Sequence, residues 1–282
     1  MPKFQLLKDL LLRDRVISTE QIYQPGPPCQ DWLTLVHHPD YVLAYCEGTL
    51  DPKAQRRIGL PWSQGLVKRT CTAVGGTILT AKLALQYGIA CNTAGGTHHA
   101  FPTYGSGFCI FNDIAVTIKV LQSQNLIRTA LVVDLDVHQG DGTAFIFQGD
   151  SSVFTFSMHC GVNFPGRKQQ SDLDVPLPEG MEDDAYLKEL RSHIPSLITQ
   201  LKPDLVLYDA GADVHKCDRL GKLALTDDGI YQRDLTVLRA CKANHTPVAC
   251  VIGGGYSNDM DALIYRHSLL HRAAKAVLNP VE

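Results

Sequence analysis

Short apolar runs that end in polar or glycine residues alternate along the chain with longer segments in which apolar residues recur every three or four positions. The short runs are rich in β-branched residues, which predicts buried parallel strands. These runs lie at residues 89–91, 129–136, 152–157, 204–208 and 247–252. Because parallel strands need crossover connections, the periodic segments between them predict helices.

Five of the periodic segments have the pattern of amphipathic helices. They lie at residues 67–85, 112–121, 187–201, 230–241 and 260–277. Gly88 follows the first as a C-terminal stop, and Asn112 or Asp113 is suited to cap the second. Strands that alternate with helices predict an α/β fold, in which helices cover both faces of one parallel sheet. No internal repeat or linker divides the sequence, so we expect residues 1–282 to form a single domain.

The composition is typical of a globular protein with a sizeable core, because 45% of the 282 residues are hydrophobic and 20% are charged. The formal net charge is −3 and basic residues form no long run, unlike the basic stripe of a general nucleic-acid binder. No apolar run approaches the roughly 18 residues that span a bilayer. Nine cysteines without a CxxC pair are typical of reduced thiols. We therefore expect a soluble cytoplasmic protein with no nucleic-acid or membrane partner and leave its oligomeric state open.

One predicted strand ends in the sequence Asp-Leu-Asp-Val-His. Alternate side chains of a strand share a face, so Asp134, Asp136 and His138 are predicted to point the same way. Carboxylates crowded at the end of a strand are costly unless a cation joins them, which favours a metal site over a solvated turn. Asp213, beyond a later strand, would complete a set of three ligands typical of catalytic zinc, although Asp209 competes for this role and Asp213 could instead cap the next segment.

Adjacent histidines follow the first predicted strand. Taken alone, His98 and His99 could be metal ligands, bases or part of a polar loop. Beside a metal they are suited to act as general base and acid, with Asp134 and Asp141 each able to orient one imidazole.

Three glycines and a tyrosine follow the last predicted strand. The glycines at 253–255 let the backbone approach a ligand closely, and the hydroxyl of Tyr256 could donate to a developing oxyanion. A phosphate-binding loop is the other interpretation, but the Lys-Ser/Thr that such a loop requires does not follow.

Together these motifs resemble the histone deacetylase superfamily, which includes acetylpolyamine amidohydrolases and acetoin-utilisation proteins and shares the arginase-type α/β fold. The resemblance covers about residues 37–256 and rests on Gly-Gly-Thr-His-His, Gly-Phe-Cys, Asp-Leu-Asp-Val-His, Gly-Ala-Asp and Gly-Gly-Gly-Tyr at family-like spacing. It implies a zinc-dependent hydrolase that removes acyl groups from lysine side chains of a protein or peptide, or from an acylated small amine.

The resemblance also implies a role for each matched residue. The implied zinc ligands are Asp136, His138 and Asp213. His99 matches the general base and acid, hydrogen-bonded to Asp141, and His98 matches its electrostatic partner, paired with Asp134. Tyr256 matches the residue that polarises the scissile carbonyl. The implied lining of the substrate slot is Gly107, Phe108, Phe164 and Gly254. A structural potassium site is implied at Asp134, Ser157 and Met158.

Three departures from the animal class I pattern bear on the substrate. Gln139 replaces the second histidine of that motif, and Asp209-Ala210 replaces Gln-Cys. Gln139 and the run at 218–221 look more like class IV members and their bacterial relatives, so acyl groups longer than acetyl are also expected as substrates.

Three rival functions differ in what they require of the site. An acetylpolyamine or other small-molecule amidohydrolase would use the same metal chemistry in a pocket of different shape. An arginase-like binuclear manganese hydrolase needs more bridging carboxylates and histidines than the matched positions supply. A catalytically inactive binding module would not need the full set of ligands together with His98, His99 and Tyr256.

Overall fold

A parallel sheet of six strands forms the centre of the protein in the computed structural model, which describes residues 3–279. The strands are β1 (Ile89–Cys91), β2 (Ala130–Asp134), β3 (Val153–Cys160), β4 (Leu173–Leu177), β5 (Leu205–Asp209) and β6 (Val248–Val251). Their spatial order is β1-β6-β5-β2-β3-β4, and every neighbouring pair is parallel. The predicted parallel α/β sheet is confirmed.

Helices connect the strands and cover the sheet. The α-helices are α1 (Lys3–Arg13), α2 (Gln30–Leu33), α3 (Pro39–Glu47), α4 (Pro52–Ile58), α5 (Gln64–Tyr87), α6 (Asp113–Ser123), α7 (Asp141–Phe147), α8 (Asp183–Leu201), α9 (Asp227–Ala243) and α10 (Met260–Leu278). One face of the sheet packs against Leu190 of α8, Leu238 of α9 and Leu270 of α10. The opposite face packs against Ala81 of α5 and Ile114 of α6. The predicted helices on both faces are therefore confirmed.

The second strand is shorter than predicted, and its end determines where the polar side chains go. Leu135 still donates a backbone hydrogen bond to the carbonyl of Asp209, at 3.0 Å. Beyond it the backbone N–H groups leave the ladder, because that of Asp136 donates to Asp134 Oδ1 (3.1 Å) and that of His138 to Asp136 Oδ1 (3.0 Å). Asp136 and His138 therefore lie in a tight bend after β2 rather than on the strand.

Several elements are missing from the prediction. Strand β4 lies at the edge of the sheet, between residues 157 and 187, where the sequence pattern predicts neither a strand nor a helix. It is mostly half-buried and contains Asp174 and Pro176, residue types that are depleted in strands but tolerated at an edge. Helices α2, α4 and α7 have seven residues or fewer, which is too short for a clear period. Helix α1 is also unpredicted, although Leu7, Leu10 and Leu11 are buried on one face.

The topology brings the carboxyl ends of the central strands to one edge of the sheet. The loops after β1, β2, β5 and β6 all leave from this edge, which is where open α/β sheets bind ligands. Among residues 3–279, no helix combines the length and apolar character needed to cross a membrane.

Candidate metal centre

Asp136, His138 and Asp213 meet where β2 and β5 end. One ligand atom from each lies within 4.8 Å of the others, and all three side chains are buried. The Nδ1 atom of His138 is 3.0 Å from Asp136 Oδ1 and 3.2 Å from Asp213 Oδ2. Within the described residues, no hydrogen bond satisfies Asp213 Oδ2. A buried carboxylate oxygen of this kind, facing a second carboxylate and an imidazole nitrogen, suits the coordination of a cation.

The electrostatics of these residues point to the same use. Burial and then the charge of Asp136 raise the pKa of Asp213 to about 7. Burial alone would lower the pKa of His138, but its contacts with Asp136 and Asp213 outweigh this and raise it to about 10. Without a metal, a proton on His138 therefore offsets the paired carboxylates. A metal ion replaces such a proton when it binds, because its ligands must be deprotonated.

Backbone N–H groups hold the outer oxygen of each carboxylate. Val137 N donates to Asp213 Oδ1 at 3.0 Å, and Gly254 N donates to Asp136 Oδ2 at 2.7 Å. A Cβ atom at position 254 would lie 2.1 Å from Asp213 Oδ2, so only glycine fits there. The close approach expected of the glycine run thus occurs at the candidate metal ligands.

Arg233 on α9 contacts the backbone next to the candidate metal ligands, a role that was not predicted from the sequence. Its fully buried guanidinium is paired with Asp234 at 2.9 Å. It also donates to the backbone carbonyl oxygens of Leu135, Ala210 and Gly211. The guanidinium of Arg233 thereby joins the loop after β2 to the loop after β5. The sequence does contain a sign of this role, because the charged pair Arg233 and Asp234 lies on the apolar face of the predicted helix, between Ile230 and Val237.

The two histidines after β1 each face a carboxylate through Nδ1. His98 Nδ1 is 2.7 Å from Asp134 Oδ2, and His99 Nδ1 is 2.6 Å from Asp141 Oδ1. Their Nε2 atoms are 3.2 Å apart, and His98 Nε2 is 3.9 Å from Asp136 Oδ1. The structure therefore places both expected histidine–aspartate pairs directly beside the ligand group.

The two imidazoles differ in charge. Burial lowers the pKa of His98, but Asp134 and then Asp136 more than reverse this, so its pKa lies well above the ordinary value. Burial, followed by the charge on His98, lowers the pKa of His99 to about 4 despite its bond to Asp141. At neutral pH, His98 is thus the charged member and His99 the neutral one.

Asp209 lies on the other side of His98 and is not part of the ligand group. Its Oδ2 atom is 3.7 Å from His98 Nδ1, and together with Asp134 these residues form a second group of potential ligands. Neither carboxylate oxygen of Asp209 accepts a hydrogen bond from any residue in the described part of the chain. Burial, then Asp134, raises its pKa well above the ordinary value, which favours the neutral acid. The structure thus places Asp213, not Asp209, with Asp136 and His138.

Two partly exposed aromatic side chains of the expected substrate lining, Phe108 and Phe164, contact the candidate catalytic residues. Phe108 and Phe164 remain 43% and 45% exposed, and their rings lie 5.9 Å from the ring of Tyr256 and 4.9 Å from that of His99, respectively. A Cβ atom at Gly107 would lie 2.7 Å from the His99 ring, so glycine leaves room for the rings of His99 and Phe164. Burial, then Asp213, raises the pKa of Tyr256 well above its ordinary value, and its hydroxyl keeps its proton.

The residues expected to hold potassium lie on the adjacent strands β2 and β3. Ser157 of β3 pairs in register with Asp134 of β2, and Met158 follows it; all three are buried. The hydroxyl of Ser157 lies 2.9 Å from His159 Nδ1. The structure thus places Asp134 and Ser157 side by side, whereas the side chain of Met158 points to the opposite face of the sheet, into the apolar core.

Comparison with known proteins finds relatives that match nearly the whole chain. The family model for the histone deacetylase domain matches residues 1–271. An uncharacterized protein of Picosynechococcus sp. is 66% identical over 277 residues, which cover 98% of this chain and 92% of that protein. The acetoin utilization protein AcuC of Staphylococcus aureus is 31% identical over 278 residues, covering 91% of this chain and 71% of AcuC.

Solved structures show the same fold. The HDA15 HD domain has a TM-score of 0.82 at 21% identity and covers 99% of this chain and 83% of its own. A histone deacetylase homologue from Aquifex aeolicus has a TM-score of 0.79 at 24% identity, covering 96% and 77%, and a homologue in complex with SAHA matches equally well. On the domain match and the AcuC relatives, the chain belongs to the histone deacetylase family of hydrolases.

Proposed function

We propose that the protein is a zinc-dependent deacylase that hydrolyses the amide of an acylated lysine side chain. The observation that carries this proposal is the buried group Asp136, His138 and Asp213, which lies beside two histidine–aspartate pairs and two partly exposed aromatic rings. The proposal takes residues 1–282 as one catalytic domain. It also places the protein in the cytoplasm, which agrees with nine free cysteines.

The donor set fits zinc, because one imidazole nitrogen and two carboxylates leave a coordination position for water and substrate. Zinc bound there would act as a Lewis acid on the acyl oxygen and lower the pKa of water. We further propose a structural potassium ion at Asp134, Ser157 and Met158, whose positions on adjacent strands support it.

His99 is suited to move the proton. Its bond to Asp141 keeps the proton of the neutral ring on Nδ1, so Nε2 carries the lone pair and can accept a proton from water. The charge on His98, with Nε2 only 3.2 Å away, disfavours a lasting second charge on His99. The proton is therefore passed on to the lysine amine as it leaves.

Tyr256 is suited to stabilise the oxyanion. Its phenol keeps its proton at neutral pH and its ring centroid lies 6.5 Å from that of His138, so the hydroxyl can donate to the acyl oxygen as negative charge develops. Replacing Tyr256 by Phe should lower turnover by about 10²–10³-fold while leaving zinc content unchanged. Wild-type turnover in that variant would refute the assigned role.

The aromatic lining favours lysine in a peptide over a small amine. Phe108 and Phe164 offer apolar faces to a methylene stem, and exposed Leu220 nearby extends an apolar rim that a peptide backbone can cover. An acylated polyamine remains the alternative, because it also carries an alkyl stem.

The experiment compares hydrolysis rates on protein of defined zinc content. The substrates are lysine peptides with acyl groups of increasing length and acetylated polyamines of matched stem length. Faster turnover of acyl-lysine peptides supports the proposal, and turnover restricted to polyamines would contradict it.

A further inference from the structure

The loop that follows Asp213 forms hydrogen bonds with both the backbone N–H and the backbone carbonyl of Tyr256. Asp218 Oδ2 accepts a hydrogen bond from Tyr256 N at 2.7 Å, and Arg219 N donates to Tyr256 O at 3.0 Å. The other oxygen of Asp218 accepts from Leu220 N and Gly221 N, at 2.8 and 2.9 Å. One half-buried carboxylate therefore joins the loop after β5 to the loop after β6.

We propose that Asp218 is a positioning residue for Tyr256, an inference that rests on the proposed deacylase function. Tyr256 follows three glycines, which leave the backbone before it with many accessible conformations. An oxyanion donor works only when it is held within a few tenths of an ångström of its target. Asp218 supplies that restraint through the backbone, and none of these hydrogen bonds involves a candidate metal ligand.

The same loop is joined to the segment that carries Phe164 by a separate contact. Asn163, which precedes Phe164, donates from Nδ2 to the carbonyl of Leu220 at 2.7 Å and accepts from Lys222 N at 3.1 Å. Asn163 thus stabilises the segment of Phe164 rather than Tyr256. The two side chains hold the same loop, so variants of them form a matched pair.

The test replaces Asp218 by Asn, which keeps the shape of the side chain. An amide has only one acceptor oxygen, so either Tyr256 N or the pair Leu220 N and Gly221 N loses its partner. For D218N we expect kcat to fall about 10–100-fold with KM unchanged, the usual cost of a lost supporting contact. For Asn163→Ala we expect KM to rise with kcat unchanged.

A double-mutant cycle separates positioning from general damage. If Asp218 acts through the Tyr256 hydroxyl, D218N should cost nothing further in a Tyr256→Phe background. A full additional loss of kcat in that background would overturn the proposal.

Hydrogen exchange gives a readout that needs no activity. The amide of Tyr256 should exchange faster in Asp218→Ala, which removes both acceptor oxygens, than in wild type or Asn163→Ala, at equal zinc content and melting temperature. Unchanged exchange at Tyr256 in Asp218→Ala would overturn the tether itself. If wild type lacks deacylase turnover but Asp218→Ala frees the amide, the proposed function fails and the tether stands.

Discussion

The two histidine–aspartate pairs have almost the same geometry but opposite electrostatics. His98 and His99 are adjacent, and their bonds to Asp134 and Asp141 measure 2.7 and 2.6 Å. The pKa of His98 nevertheless lies well above the ordinary value, whereas that of His99 is lowered to about 4.

Their wider surroundings cause this difference. His98 has two more carboxylates within 4 Å, those of Asp136 and Asp209. His99 has the ring of Phe164 and a charged imidazole as neighbours instead. A carboxylate partner therefore orients a histidine, but the remaining neighbours decide whether it carries charge or accepts a proton.

The largest expected effect is the loss of His99. His99→Gln should lower kcat by about 10²–10⁴-fold, because it removes the proton acceptor. His98→Gln, the matched control, should cost less, since it removes a charge but not the base. Turnover at fixed zinc content measures both. Equal losses, or a larger loss for His98→Gln, would break the comparison.

The two aspartates should shift the pH profile in opposite directions. His99 works as a base only when unprotonated, so kcat/KM falls as the pH drops through its pKa. Asp141→Asn removes a group that raises this pKa, so the acid limb should move to lower pH. The charge on His98 lowers the pKa of His99. Asp134→Asn weakens that charge, so the pKa of His99 should rise and the limb should move to higher pH. Each variant should also lose about 10–100-fold in turnover. Shifts in the same direction would be incompatible with this division of charge.

The smallest expected effect concerns how Asp209, one of the carboxylates around His98, changes the stability of the protein with pH. The folded-state pKa of Asp209 is raised, so its contribution to stability is present in acid and is lost as the pH rises above the unfolded value of about 3.9. An amide does not ionise, so Asp209→Asn avoids this loss. The free energy of unfolding of the variant, compared with that of wild type, should therefore increase with pH.

Asp113 provides the control for that measurement. It is equally buried but accepts hydrogen bonds from Thr77, Gly96 and Thr97. Asp113→Asn should therefore destabilise the protein at neutral pH, by about 1–3 kcal/mol for each donor left unpaired. Denaturant unfolding of metal-free protein measures both variants. A constant difference between Asp209→Asn and wild type across pH would show that Asp209 carries no raised pKa.

Much of the architecture follows from periodicity, because buried strands and amphipathic helices have distinct repeats. The strand at 129–136 shows the limit. Alternation groups Asp134 with Asp136 and His138, but the chain leaves the ladder after Leu135, so Asp136 and His138 lie in a bend while Asp134 stays on β2 and faces His98. The resemblance, unlike the alternation, pairs Asp134 with His98.

The position of Asp213 depends on contacts across the sheet. Strands β2 and β5 pair in register at Asp134 and Asp209, so the segments that follow them run side by side. Local sequence does not reveal this register. Arg233 and Asp218 were missed for the same reason, since both act on backbone groups distant in sequence.

Zinc titration of chelator-treated protein tests the central claim most directly. The readout is turnover of an acyl-lysine peptide against zinc bound per chain, for wild type and Asp136→Asn. We predict that wild-type turnover rises in proportion to bound zinc and stops at one ion per chain, whereas Asp136→Asn stays inactive and does not retain the ion. Full turnover without metal, or no turnover at one zinc per chain, would contradict the account.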